Sequence, residues 1–389
     1  MVPFRLPVEE TLTIEKLVYG GEGLARLEGK VVLTPFVLPG EVVRVEIERA
    51  KNDLWRGRLI EVLQPSPSRI TPGCPYFQRC GGCQYQHMDY AFQLAQKRAI
   101  LREVLLRVGK IEFAGDIGVI SGDPWQYRNR VQLHIESGKV GYFGQGSRDL
   151  CAIDHCPIAS PKLNETIGQI KASQASNTAL ELFTDETDVQ VNVLDRVPRS
   201  ALNALATLGV TTPIDYSGFQ VSRNSFFQVN RFLIDQLVDC AIANAKGDWA
   251  VDLYAGVGLF SVKLAERFGK VTAVESSSSS TRDLAHNFTQ GGVNANVEDY
   301  LAGLNETPDF ILADPPRAGL GKAAVRDLAR IRAPRLTIVS CDPATLARDL
   351  QGLIAGGYRI EKLTLVDLFP QTFHLETVVE LSASAVQQD

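Results

Sequence analysis

The 389-residue chain has no apolar run long enough to cross a bilayer, and its start, Met-Val-Pro-Phe-Arg-Leu-Pro-Val-Glu-Glu, has no charged segment followed by an apolar core. The first absence argues against a membrane-spanning helix and the second against a secretory leader, so a cytoplasmic location is expected. Basic residues are not in excess either: 40 Lys and Arg face 45 Asp and Glu, for a net charge of -5. The overall basic footprint of many nucleic-acid binders is therefore missing. Internal repeats are absent, which excludes a stacked-repeat architecture. What remains, 45% hydrophobic and 22% charged residues, is the composition of a soluble globular protein, and the length allows two to three domains.

Seven cysteines are present, and they are unevenly placed. Three lie in Cys74-Pro-Tyr-Phe-Gln-Arg-Cys80-Gly-Gly-Cys83, and Cys156, in Asp154-His155-Cys156-Pro157, is the candidate fourth member. Thiols at this spacing, without a secretory signal, indicate a metal centre rather than disulfides. Structural zinc usually takes two separated pairs, whereas a tight trio with one distant Cys fits an all-cysteine iron-sulfur cluster better; zinc stays open as the alternative. The C-x3-C-x2-C spacing of radical enzymes is absent. Cys151 and Cys240 read as ordinary buried thiols.

Three further motifs sit where apolar strands end. Val251 to Phe260 reads as a strand running into Gly256-Val257-Gly258, followed by a helical stretch and a second strand that ends in Glu275. Glycines let backbone approach a ligand, and an acid about 20 residues on is suited to ribose hydroxyls, which implies a nucleoside cofactor. Position 261 is Ser where the dinucleotide fingerprint has a third Gly, which favours S-adenosylmethionine over NAD. Phe310 to Ala313 is a buried strand ending in Asp314-Pro-Pro-Arg317, so Asp314 enters the same crevice. Leu336 to Val339 leads into Ser340-Cys341-Asp342-Pro343, which gives Cys341 a nucleophile's position. Finally, Glu376 in Phe369-Pro-Gln-Thr-Phe-His-Leu-Glu376 stands directly before a β-branched terminal strand.

Together with Ser225-Phe226-Phe227-Gln228-Val229-Asn230, these motifs resemble the RNA uracil-5-methyltransferase family, from about residue 8 to the C-terminus. The resemblance implies an α/β protein of three parts. Residues 1–63 would form an N-terminal OB-like β-barrel (TRAM) that grips RNA. Residues 64–224 would form a central mixed α/β domain with an iron-sulfur site, its helix over 90–108 packing with the catalytic domain. Residues 225–389 would form a Rossmann-like class I methyltransferase domain. The barrel also has a reading of its own, because residues 8–63 alternate short apolar runs with Gly20-Gly21-Glu22-Gly23 and Leu38-Pro39-Gly40.

By resemblance, Cys341 is the nucleophile and Glu376 the general base. Gln228, Tyr254, Gly256, Gly258, Glu275, Asp299 and Asp314 surround S-adenosyl-L-methionine and the target base, and Cys74, Cys80, Cys83 and Cys156 hold a [4Fe-4S] cluster. The chain departs from the family at Asp342, where Asn is common, at Leu259, where some members carry a polar residue, and at the run Ser276 to Ser280, where an apolar helix start is expected. The chemistry explains the residue types. Uracil C5 is a poor nucleophile until a thiolate adds at C6, and the C5 proton must afterwards leave to a carboxylate.

Two local features bear on RNA. Between Arg69 and Lys110, Arg69, Arg79, Lys97, Arg98, Arg102, Arg107 and Lys110 face only Asp89 and Glu103, which suggests a phosphate-binding face. Tyr127-Arg128-Asn129-Arg130 adds groups suited to stacking and phosphate contact. The expected partner is RNA, ribosomal before transfer RNA, with no membrane and no obligate protein partner, the enzyme acting as a monomer. Transfer-RNA uridine-54 methylation, cytosine-5 methylation, an iron-sulfur redox enzyme and a non-catalytic RNA-binding protein are the competing readings.

Overall fold

The computed structural model describes residues 8–49, 54–172, 177–195, 209–210 and 212–384; the opening residues read above for a leader, 1–7, lie outside this set. The chain divides into two compact units. The first contains Met1–Ile100, Phe143–Cys151 and Phe369–His374, and the second contains Leu101–Tyr142, Ala152–Leu368 and Leu375–Asp389.

In the first unit the short apolar runs become strands Val8–Thr13, Lys16–Leu17, Glu22–Leu27, Lys30–Pro35, Val42–Arg49 and Leu54–Gln64. They form one six-stranded sheet, antiparallel except where Lys30–Pro35 pairs parallel with Leu54–Gln64. Side chains alternate across a strand, so the pairings Leu12 with Val43 and Glu10 with Val45 set the register that sends every second residue inward. Leu12, Ile14, Ala25, Val32, Val37, Val43 and Val45 form the core these strands enclose, none more than 3% exposed.

Two cations assigned above to a phosphate-binding face are engaged within the fold. Arg69 grips the buried carboxylate of Glu41 through Nε (2.5 Å) and Nη2 (2.7 Å), and Glu41 also accepts from the backbone of Leu38 and Ser66. Lys97 is wholly buried and donates from Nζ to the carbonyl of Phe369 at 2.9 Å. It lies on the inner face of helix Tyr90–Arg107 with Gln93, one turn earlier, whose amide exchanges hydrogen bonds with the side chain and backbone of Gln371 (3.0 and 3.1 Å). Gln371 has a left-handed backbone, φ 68°, which is uncommon for a non-glycine residue, and its carbonyl accepts from the N–H groups of Gln84 and Tyr85. Charge is unfavourable in the interior unless it is hydrogen-bonded, and here a single helix face meets that need for one loop.

The second unit holds a smaller antiparallel sheet built on Arg130–Glu136, Thr178–Thr184 and Val189–Val193, and an eight-stranded sheet that carries the motifs. Across the larger sheet the order is Gly292–Asn294, Phe268–Glu275, Gly247–Leu253, Phe310–Ala313, Arg335–Ser340, Glu376–Ala383, Tyr358–Val366 and Ile117–Ile120. All neighbours are parallel except those of Glu376–Ala383, which runs antiparallel to both flanking strands. Gly247–Leu253 and Phe310–Ala313 are adjacent in space but far apart in sequence, and such a reversal of strand order opens a crevice at the carboxyl ends. The larger sheet of the second unit is Rossmann-like, and the first unit carries the N-terminal strand domain. Among the described residues no helix is long and apolar enough to cross a membrane.

Candidate active site

The turn after strand Gly247–Leu253 is built by three left-handed residues, Tyr254 (φ 60°), Gly256 (57°) and Gly258 (95°). Glycine suits position 258, where φ of 95° would strain a side chain and a Cβ would sit 2.9 Å from Leu284 Cδ1, which would have to shift. Glu275, ending the next strand, accepts from Gly256 N (2.8 Å) with one oxygen and from Ser276 N (2.8 Å) and Ser277 N (2.6 Å) with the other. Its carboxylate thus frames the turn and the start of helix Ser278–Asn287 together. Ser261, where a third glycine was missing, is buried and donates its hydroxyl to Asp252 Oδ2 at 2.5 Å, while Asp252 Oδ1 is buried without a partner.

Asp314 follows strand Phe310–Ala313 and receives Gln228 Nε2 at 3.4 Å. Gln228 itself is buried, its carbonyl accepting from Asn129 Nδ2 at 3.0 Å. Cys341 stands at the end of strand Arg335–Ser340, half-buried, and Asp342 caps helix Pro343–Ala355 by accepting from Ala344 N and Thr345 N, each at 2.9 Å. The Asp that departs from the family's Asn is therefore a helix cap, a role both residue types fill. Ser340 pairs with Thr377, so Cys341 and Glu376 each lie one step beyond the same rung.

Electrostatics join these groups. Burial, and then the charge of Asp252, push Asp314 up to about 7. Burial, and then Asp314, hold Glu376 well above the ordinary carboxyl range, with Arg317 opposing. Burial, then Glu376 and Asp314, push the Cys341 thiol up to about 12, again against Arg317. An acid raised as Asp314 is can take up or release a proton near neutrality. Tyr254 is half-buried, its hydroxyl held protonated by burial and by the charges of Glu298 and Asp349. Asp299 lies exposed in the first turn of helix Val297–Gly303, 3.4 Å from Asn296 Nδ2.

The Tyr127–Arg130 segment is a support rather than a binding surface. Tyr127 and Asn129 are wholly buried. Arg130 pairs with Glu181 (3.2 Å), stacks over Phe183 (4.4 Å) and donates to Ser225 O (2.9 Å). The local sequence gives no sign that Asn129 supports Gln228 or that Arg130 supports Ser225, because those partners lie 95 or more residues away.

Cys74, Cys80 and Cys83 lie half-buried in one loop of the first unit, where Gly82 N is 3.4 Å from Cys80 Sγ. Cys156 belongs to the second unit, its N–H held by Asn164 Oδ1 at 2.7 Å. Among the described residues no three His, Cys, Asp or Glu side chains gather to hold a metal ion. Cys151 and Cys240 are half-buried, and burial raises the Cys240 thiol.

With this geometry in place, comparison with known proteins decides the family. Residues 303–384 match the tRNA (Uracil-5-)-methyltransferase family and residues 9–60 the TRAM domain. The chain is 34% identical to the 23S rRNA (uracil(1939)-C(5))-methyltransferase RlmD of Chromohalobacter salexigens, over 95% of this chain and 89% of that protein. It belongs to the RNA uracil-5-methyltransferase family. An uncharacterized RNA methyltransferase of Aquifex aeolicus is 31% identical over 95% of this chain and 97% of its own length. Among solved structures, the Pyrococcus abyssi tRNA (uracil-54, C5)-methyltransferase in complex with S-adenosyl-L-homocysteine shares the fold, with a TM-score of 0.73 over 95% of this chain and 99% of that one at 24% identity. As a family member, the chain is an RNA methyltransferase with an S-adenosylmethionine-binding fold and a TRAM domain.

Raised carboxyl groups have a sign for stability. Asp252 is pushed up to about 7 by burial, so the folded state holds its proton more tightly than the unfolded chain does. That contribution is present below about pH 4 and is lost as pH rises through 7. Its upper bound is roughly 4 kcal/mol. Denaturant unfolding at pH 5 and pH 8 should show lower stability at pH 8, and Asp252→Asn should shrink the difference; an unchanged difference would contradict the burial assigned to Asp252.

Proposed function

We propose that this protein methylates C5 of one uridine in RNA, ribosomal RNA before transfer RNA, giving 5-methyluridine. What carries the reading is Cys341 at a strand end beside two acids, the half-buried Asp314 and the buried Glu376, at an edge of the same sheet that leads into the Gly256–Gly258 turn. The ribosomal preference rests on the 34% match over nearly the whole chain to an enzyme named for 23S rRNA. A cytoplasmic monomer suits that role.

S-adenosylmethionine, when bound, supplies an electrophilic methyl group. Gly256 and Gly258 would let it approach the backbone, Glu275 would exchange its backbone donors for ribose hydroxyls, and Tyr254, Gln228 and Asp299 would line the remainder. Cys341 gives its proton to water and its Sγ bonds to uracil C6, the C5=C6 pair shifting to C4–C5 and the C4=O4 pair moving onto O4 as an enolate. Asp314 and its partner Gln228 orient the base. After C5 carries the methyl, Glu376 takes the C5 proton, the C5=C6 bond re-forms and the C6–S bond breaks, returning the thiolate. Glu376 must be ionised to do this, and burial and Asp314, which raise it, make it the stronger base once its own proton has left.

Cys74, Cys80 and Cys83 would hold a [4Fe-4S] cluster, with Cys156 the candidate fourth ligand; the all-thiol chemistry of these residues supports this reading, and the described side chains are not gathered around a metal. The reaction needs no electron from the cluster.

Three outcomes test these assignments. Cys341→Ala should bind RNA yet form no covalent complex, whereas Glu376→Gln should trap a methylated protein-RNA adduct that survives denaturing electrophoresis; rapid turnover by Glu376→Gln would show that another base acts. Glu275→Ala should weaken S-adenosylmethionine binding in calorimetry by roughly tenfold to a hundredfold, the cost of a charge-assisted hydrogen bond. Purified protein should be brown, with the colour and iron lost in Cys80→Ala or Cys83→Ala; stoichiometric zinc without iron after anaerobic purification would refute the cluster.

A further inference from the structure

Asp283 lies on the buried side of helix Ser278–Asn287, and its carboxylate is among the most heavily hydrogen-bonded groups described. It is 0% exposed and accepts from Ser222 N (2.8 Å), Ser222 Oγ (2.6 Å), Ser225 Oγ (2.6 Å) and Gln220 Nε2 (3.1 Å). One turn to either side, the same helix face makes two more attachments. Ser279 Oγ donates to Asn224 O at 3.0 Å. Asn287 accepts from Gln220 N (2.8 Å) and donates to Gln220 O (3.0 Å), and it also donates to Val257 O (2.9 Å) inside the glycine turn.

Residues 279, 283 and 287 recur every fourth position and so form one stripe along the helix. That stripe binds the chain from Gln220 to Ser225, and Gln228, which reaches Asp314, follows three residues later. A buried carboxylate with four donors is strongly favoured in one geometry, because each donor would lose its partner in any other.

We infer that Asp283 is a positioning residue for methyl transfer, acting through Gln228 by holding the segment Gln220–Ser225 against the cofactor-side helix. This rests on the reading of Gln228 as a group that orients the reacting partners. The serine run before it then has a reason: Ser276 and Ser277 present backbone donors to Glu275, and Ser279 joins the stripe, so the start of this helix is occupied by polar docking.

A double-mutant cycle on the full-length enzyme tests it, with single-turnover transfer of labelled methyl from S-adenosylmethionine to RNA as the readout. Gln228→Ala and Asp283→Asn should each slow transfer by roughly tenfold, and the double variant should be slower than either by no more than about twofold, as expected when two residues act as one unit. A residue that serves only the fold would instead multiply its effect with that of Gln228→Ala. Multiplied effects, with Gln228→Ala slow by itself, overturn the inference alone. Unaltered transfer by Gln228→Ala refutes the underlying reading and this inference with it. Should Asp283→Asn not fold, Ser225→Ala, which removes one 2.6 Å donor, replaces it in the same cycle: a shared effect with Gln228→Ala supports the inference and a multiplied one overturns it.

Discussion

Carboxyl groups kept out of water at the carboxyl edge of a parallel sheet set the terms for the rest of this molecule. Asp252, Asp314 and Glu376 cannot all ionise in one low-dielectric region, so protons are retained where an isolated surface acid would release them. The nearby thiol experiences the same field and stays protonated at rest. Arg317, exposed at the end of the Asp-Pro-Pro-Arg motif, is the positive group that opposes that field.

The sheet explains why these acids meet. Strands of a parallel sheet end at one edge, and the reversal of order between Gly247–Leu253 and Phe310–Ala313 opens space there. The antiparallel strand Glu376–Ala383 enters from the same edge, so its first residue, rather than its last, faces the crevice. A carboxylate placed anywhere else along that strand would point into packed core or away from the sulfur.

Much of this is legible in order along the chain, because strand, turn and strand-end acid are local events. The apolar runs before Asp314 and Cys341, and the Gly256–Gly258 turn closing on Glu275, need only neighbours within about 20 residues to be understood. Charges and aromatics mislead wherever a distant partner decides their fate. Arg69 reads as a surface cation and is held by Glu41; Lys97 reads the same way and is buried under Phe369; Tyr127 looks suited to stacking and has no exposed surface. In each case a tertiary contact overrides the ordinary preference of the residue type, and nothing in the flanking sequence marks it. Asp283 shows the reverse case, an inconspicuous acid in a serine-rich helix that becomes a junction only once the chain from Gln220 to Ser225 folds against it.

The first unit is assembled from three separated stretches, the last of them only six residues, Phe369–His374. Gln93 and Lys97 receive their partners from that stretch, more than 270 residues downstream. During synthesis the amino-terminal strands can form early, but the inner face of helix Tyr90–Arg107 lacks its bonds to Phe369 and Gln371 until those residues have left the ribosome. Completion of the first unit is thereby tied to residues 369–374, and a chain ending before them would lose the hydrogen bonds that Lys97 and Gln93 make there.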